Sequence, residues 1–129
     1  MKRTFLNIKL HGAKVTQANL EYEGSISIDK DILRETSLMP FEKVDIYNIN
    51  NGERFSTYII PGEKGEIALN GAAARKVQVG DRIIIVSYVE LEENEIKKHT
   101  PKCFILDSNN KNAERNGRVR LTYNALEMP

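Results

Sequence analysis

The residues best suited to unusual chemistry stand in the run Tyr22-Glu23-Gly24-Ser25-Ile26-Ser27-Ile28-Asp29. A serine hydroxyl can attack the carbonyl of the residue before it, and glycine there offers the least obstruction and the widest backbone freedom. Such an attack needs a strained local geometry, an oxyanion donor and a proton acceptor. On spacing alone, a Gly-Ser pair within a strand is a bulge or a turn. Other capable side chains are Lys9 and His11, Arg54, Thr57 and Tyr58, and Asn70 before Gly71-Ala72-Ala73-Ala74. Taken singly, Lys9 and His11 read as a solvated polar face, because Lys is seldom buried. Arg54 and Tyr58 read as ordinary strand residues, Asn70-Gly71 as a turn, and the alanines as a tightly packed helix start. His99 belongs to no motif and reads as a surface residue.

The elements that must position these groups are short and mostly extended. Residues 5–11 alternate, with Phe5, Asn7, Lys9 and His11 on one face and Leu6, Ile8 and Leu10 on the other. A strand is predicted over residues 21–28, interrupted by Gly24, and Asp29 can cap a helix over 30–37 with Ile32 and Leu33 turned inward. Residues 44–49 and 53–60 flank Asn51-Gly52 as a hairpin. Further strands are predicted at 67–69, 82–89 and 102–106, with Ile83 to Val86 buried on both faces, and a charged helix or loop at 90–99. From Ser108 the composition turns polar, so residues 1–107 read as the domain and 108–129 as a flexible tail with a possible short strand at 119–123. Many short strands with few helices suggest a small closed barrel, since closure removes exposed edges.

Composition bounds the function. A chain of 129 residues is long enough for one core. Its 40% hydrophobic and 29% charged residues are those of an ordinary globular protein. Lys+Arg 19 against Asp+Glu 18 gives no electrostatic case for nucleic acid or an anionic membrane. No apolar stretch reaches the roughly 18 residues of a membrane span, and Asn7, Lys9 and His11 interrupt any signal-like run, so a cytoplasmic protein is expected. The single Cys103 reads as packing rather than as a reactive thiol. Two separated histidines and one cysteine offer no metal-ligand spacing.

Four segments together carry a resemblance. Lys9-x-His11, Tyr22-Glu23-Gly24-Ser25, Asn51-Gly52-x-Arg54-Phe55-Ser56-Thr57-Tyr58 and Asn70-Gly71-Ala72-Ala73-Ala74 are similar, in order and spacing, to the pyruvoyl-dependent, self-processing aspartate 1-decarboxylases. The likeness runs over residues 2–106, about four-fifths of the chain. It implies a mainly β fold, a closed six-stranded double-psi β-barrel with short helices, assembled as a homotetramer with active sites at subunit interfaces. It also implies an N-to-O acyl shift at Gly24–Ser25, elimination to dehydroalanine, and hydrolysis to a pyruvoyl cofactor at position 25. L-Aspartate would then form a Schiff base, lose CO2 and leave as β-alanine, a precursor of pantothenate; electron-sink chemistry of this kind elsewhere comes from an added cofactor.

The resemblance assigns roles residue by residue. Ser25 becomes the cofactor and Tyr58 the proton donor; Gly24, Thr57 and His11 assist processing. Arg54 and Lys9 would hold the substrate carboxylates, the planar Arg fork suiting bidentate contact. Thr57, Gly71, Ala72 and Ala73 would line the substrate, with Tyr22 and Asn70 in support. One tension follows from alternation: Arg54, Ser56 and Tyr58 share one face of a strand, Phe55 and Thr57 the other. Thr57 and Tyr58 can serve one chemistry only through a bulge or by reaching the sites of different subunits. A non-enzymatic binding or adaptor barrel and a decarboxylase for another amino acid are the competing readings.

Overall fold

A computed structural model describes residues 1–112 and 123–127. The chain is mainly β, with strands β1 (Arg3–Lys14), β2 (Gln17–Asn19), β3 (Ser25–Asp29), β4 (Lys43–Asn48), β5 (Arg54–Gly62), β6 (Ile67–Asn70), β7 (Arg82–Leu91) and β8 (Lys102–Ile105). Two short helices, α1 (Lys30–Thr36) and α2 (Glu93–Ile96), and 3-10 turns at Gly71–Lys76 and Ala125–Glu127 complete it. None of the described helices is long and apolar enough to cross a membrane. The possible strand at 119–123 lies almost wholly outside the described residues.

Local sequence accounts for most boundaries. Asp29 caps α1 by accepting from the Asp31 amide at 2.7 Å, and Ile32 and Leu33 are buried beneath it. The Asn51-Gly52 turn joins β4 to β5; Gly52 takes φ +76°, and the Asn51 side chain accepts from the Glu53 amide at 2.9 Å. From Tyr47↔Arg54 to Lys43↔Tyr58 the β4–β5 register is unbroken. β7 pairs on both edges, with β1 and β4, and its Ile83, Ile85 and Val86 are buried as expected for a central strand.

Two expectations need correction. The predicted strand over 21–28 begins only at Ser25, so Gly24–Ser25 stands at the mouth of β3 and not inside a ladder. The closed six-stranded sheet is replaced by eight strands in the order β2-β6-β3-β5-β4-β7-β1-β8, whose end strands share no ladder among the described residues. The cause is that β1 is not an edge strand: it pairs with β7 on one side and with β8 on the other, so the sheet grows past six strands.

The sheet is nonetheless strongly curled. β6, β3, β5, β4 and β7 separate β2 from β1 in the order, yet only Val15 and Thr16 separate them in the chain. At about 4.8 Å per strand a flat sheet would hold them about 29 Å apart, whereas the connection reaches at most about 11 Å. The sheet must therefore bend until β1 comes back beside β2. Leu10, Ile26, Ile46, Ile59, Leu69 and Ile85 fill the enclosed core.

The polar stretch after Asp107 starts fastened. Asn110 is buried; its Oδ1 accepts from the Lys14 amide at 2.7 Å and its Nδ2 donates to Lys14 and Gly65 carbonyls. Asn124 is likewise buried and donates to the carbonyls of Ile96, Lys97 and His99.

Candidate active site

Ser25 opens β3 directly opposite Asn70, the last residue of β6. Both are buried, and Asn70 Nδ2 donates to Ser25 Oγ and to Ser27 Oγ, each at 3.1 Å. An amide nitrogen carries two hydrogens, so both bonds are satisfied together. Ser25 Oγ makes only a long 3.5 Å contact with the Glu23 carbonyl, which holds its proton weakly. The hydroxyl is thus oriented by Asn70 while its own hydrogen stays free to leave.

Gly71 completes the local frame. It has φ +63°, and a Cβ there would stand 2.7 Å from both Gly24 Cα and Gly24 N, and 3.0 Å from the Tyr22 carbonyl oxygen. No side chain fits against backbone at such a distance. The Asn70-Gly71 pair therefore presses on both halves of the Gly24-Ser25 dipeptide, Asn70 on the serine and Gly71 on the glycine. Tyr22, 54% exposed, projects from the turn before Gly24 into a separate hollow with Ser27 and Asn70.

Gly24 also forms part of the wall of an open cleft of about 380 Å³, lined by Phe55, Ser56, Thr57, Tyr58, Ala72, Ala73 and Lys76. That volume lies within the range of small-molecule sites, about 300–1,000 Å³. A smaller apolar hollow of about 140 Å³ lies between Phe5, Leu6, Ile96 and Tyr123. Its one imidazole, His99, is engaged with the Leu6 carbonyl at 2.8 Å and edge-on to Phe5. His99 is thus a half-buried packing residue, where the sequence suggested a free surface one.

The remaining candidates gather elsewhere. Cross-strand register aligns His11, Ile84, Tyr47 and Arg54 in one row, and Lys9, Val86, Asp45 and Ser56 in the next. Residues opposite one another share a face, so Lys9, His11 and Arg54 lie together on the outer side of the sheet. Arg54 stacks on the Tyr47 ring, its Cζ 3.7 Å from the centroid. Partial burial, then the positive charges of Lys9 and Arg82, lower the pKa of His11 below its ordinary 6.5. Arg54 lines a hollow with Asp45, Tyr47, Phe55 and Ser56, and the cleft beside Gly24 includes neither Arg54 nor Lys9. Within one copy of the chain, the cations and the Gly24–Ser25 bond do not share a cavity.

Comparison with known proteins gives this arrangement a context. Residues 1–113 match the model of the family described as aspartate decarboxylase. This chain belongs to the aspartate decarboxylase family. Its relatives include the aspartate 1-decarboxylase of Hydrogenobaculum sp. (strain Y04AAS1), 58% identical over 110 residues, which are 85% of this chain and 88% of that one. The aspartate 1-decarboxylase of Geobacillus sp. (strain WCH70) is 57% identical over 113 residues, 86% and 89% of the two chains. That of Staphylococcus aureus (strain JH9) is 54% identical over 112 residues, 85% and 88%.

For this aspartate decarboxylase family member, the structure adds a residue that sequence reasoning passed over. Lys76 borders the same cleft as Gly24, Ala72 and Ala73, its Nζ 2.9 Å from Glu53 Oε2. In a 3-10 turn, positions three apart eclipse one another, which sets Lys76 over Ala73. The spacing was visible, but only the turn type gives it meaning. Thr57 and Tyr58 both line the cleft, and no register shift interrupts β5 between Arg54 and Tyr58, so a bulge does not explain their joint presence.

Proposed function

We propose that this chain decarboxylates L-aspartate to β-alanine and CO2, a step toward pantothenate, with a pyruvoyl group made from its own Ser25. The observation that carries the reading is the buried Ser25 hydroxyl, held by Asn70 beside a Gly24 backbone that Gly71 alone can approach. In the self-processing step Ser25 Oγ bonds to the Gly24 carbonyl carbon and the amide C–N bond breaks, leaving an ester and a free amine. Elimination across Ser25 Cα–Cβ then expels the Gly24 carboxylate, and water replaces the amine nitrogen, which leaves as ammonia. Asn70 Nδ2 suits the first of these steps, as donor to the Ser25 oxygen that attacks and then departs with the Gly24 carboxylate; the ketone oxygen is a different one, brought to Cα by water.

The residues present fit such a group: a serine at a strand mouth, a small-residue wall at Ala72 and Ala73, and an amide donor. A pyruvoyl group supplies a ketone that can take up the substrate amine and an electron sink for the carbanion left by CO2. The chain's own residues do the rest. Ala72 and Ala73 leave room beside Gly24, Tyr58 offers a phenol to the cleft for protonation of the product carbon, and Thr57 faces the same space. Arg54 and Lys9 bind the carboxylates.

Because those cations sit apart from Gly24 within one copy, we propose that the working site lies between copies in a homotetramer, one giving residue 25 and the next giving Lys9, His11 and Arg54. Phe41 supports a covered face: it is 77% exposed, and its amide bonds to the Ile59 carbonyl beside Tyr58. The double-psi barrel belongs to the same reading, supported by the curl that brings β1 and β2 together and by the parallel pairs β2–β6 and β3–β5. So do a catalytic unit over 1–107, an appended segment over 108–129 and a cytoplasmic location.

Intact-mass analysis tests the reading. Incubated protein should resolve into residues 1–24 and a chain beginning with a blocked residue 25, and should make β-alanine from L-aspartate. Ser25→Ala should remain one uncleaved, inactive species; decarboxylation by that variant would sink the cofactor assignment.

A further inference from the structure

Arg54 is the residue expected to hold a substrate carboxylate, yet it lies exposed on a regular strand, and a guanidinium on a long side chain binds well only when its fork is held in place. Three contacts around Tyr47 supply that hold. The Arg54 Cζ lies 3.7 Å from the Tyr47 ring centroid, within the reach at which an aromatic face attracts a cation. The Tyr47 hydroxyl lies 3.2 Å from Asp45 Oδ2 and 2.8 Å from the Tyr88 hydroxyl. If Tyr47 donates to the carboxylate, Tyr88 donates to Tyr47, and all three groups are satisfied in one chain of hydrogen bonds.

The position of Asp45 makes the arrangement selective. Asp45, Tyr47 and Arg54 line one hollow, so Asp45 is the natural intramolecular rival of an anionic substrate for the guanidinium. Among the described residues, however, Arg54 makes no ion pair. The phenol of Tyr47 engages Asp45 while the face of the same ring engages Arg54. Partial burial, the Tyr88 hydrogen bond and the charge of Asp45 together raise the Tyr47 pKa well above its ordinary value, so the phenol keeps its proton as a donor.

We propose that Tyr47, latched by Tyr88, is a positioning residue for substrate: it holds the Arg54 fork open toward solvent and keeps Asp45 from closing on it. The inference rests on the reading of Arg54 as the carboxylate-binding residue of an aspartate decarboxylase. Tyr47 acts through Arg54 and touches no reacting atom. Its effect belongs in KM for L-aspartate and not in self-cleavage or kcat.

Steady-state kinetics on fully processed protein, with cleavage followed by intact mass, decides it. Tyr47→Leu should raise KM about tenfold, the cation–π contact and the Asp45 hydrogen bond lost together, with kcat and self-cleavage as in the wild type. Tyr47→Trp, which restores the ring face without the hydroxyl, should bring KM back to the level of Tyr88→Phe. Tyr88→Phe, which opens the latch on an exposed side chain, should raise KM about two- to threefold, one hydrogen bond's worth. An unchanged KM in Tyr47→Leu, or no recovery with Trp, overturns the proposal. If Tyr47→Leu does not fold, the Trp and Tyr88→Phe variants decide it: a KM with Trp raised well beyond that of Tyr88→Phe, or an unchanged KM with Phe, overturns it. Wild-type protein that cleaves but makes no β-alanine would remove the parent reading and this one with it. An active wild type with insensitive variants removes only the role of Tyr47.

Discussion

Ser25 and Arg54 stand on the same curled sheet in opposite surroundings. Around Ser25 the groups are small and neutral: buried Asn70 and Ser27, and the bare backbones of Gly24 and Gly71. Around Arg54 everything is large, polar and open: Tyr47, Asp45 and Tyr88, with Lys9 and His11 along the neighbouring strand positions. On the proposed reading the first region brings a serine hydroxyl to the backbone before it, which demands close backbone approach. On the same reading the second binds an anion, which demands long cationic side chains and solvent. The two regions meet β5 at different places: Arg54 opens the strand, whereas Ser25 precedes Ile26, which pairs with Ile59 near its middle.

The division predicts a large effect from mixing. On the proposed reading Ser25→Ala lacks the cofactor and Arg54→Gln lacks the carboxylate clamp, so each alone should be inactive. Co-expressed in equal amounts, they should regain about a quarter of wild-type activity, since random pairing places an intact Ser25 beside an intact Arg54 at about one interface in four. Measured β-alanine formation that stays at the level of the separate variants would put both residues in one copy's site and erase the comparison.

The next effect sharpens the neutral region. Gly71→Ala forces a side chain into the left-handed conformation, at a cost of about 1–2 kcal/mol, and also into the Gly24 backbone. Gly52→Ala is the control: φ is +76° there, but nothing lies within 4 Å of the added carbon. Both variants should lower the denaturation midpoint, Gly71→Ala by more. Only Gly71→Ala should also slow the release of residues 1–24. Equal cleavage rates in the two variants would mean that the close approach is structural and not part of processing.

What the sequence disclosed follows the same split between local and remote causes. Asp29 as a cap, Asn51-Gly52 as a turn and the alternation along β5 depend on neighbours within a few residues, and each could be read directly. The start of β3 at Ser25 could not, because it depends on Gly71 meeting Gly24 from 47 residues away. The platform under Arg54 was hidden by register. A strict two-residue turn at Asn51-Gly52 would set Ile49 opposite Arg54; the loop is wider, with the Asn48 amide bonding to the Glu53 carbonyl, and brings Tyr47 there. The open eight-stranded order was hidden too, since nothing in residues 3–14 says that both edges of β1 find partners.

The smallest effect probes the cationic region through pH. His11 has a pKa below 6.5 in the folded chain, first from burial and then from Lys9 and Arg82, whereas in the unfolded chain it returns to about 6.5. Between those two values the unfolded state binds more protons, so stability rises with pH across the window and falls as pH drops through it. Above 6.5 the imidazole is neutral in both states and contributes no slope; below the folded value it is charged in both and the slope vanishes again. His11→Asn removes the titration, so its stability should fall less than the wild type's between pH 7.5 and 5. Denaturant midpoints at several pH values give the difference directly, because other groups titrate alike in the two proteins. Since the ring is only partly buried, solvent screens most of the repulsion, and the divergence should be modest in a lone copy. Covering this face with a second copy deepens the burial that dominates the shift, so the divergence should widen with protein concentration. A pH profile identical in the two proteins at every concentration would leave His11 without an electrostatic tie to Lys9, and the outer face without the cover that the divided site requires.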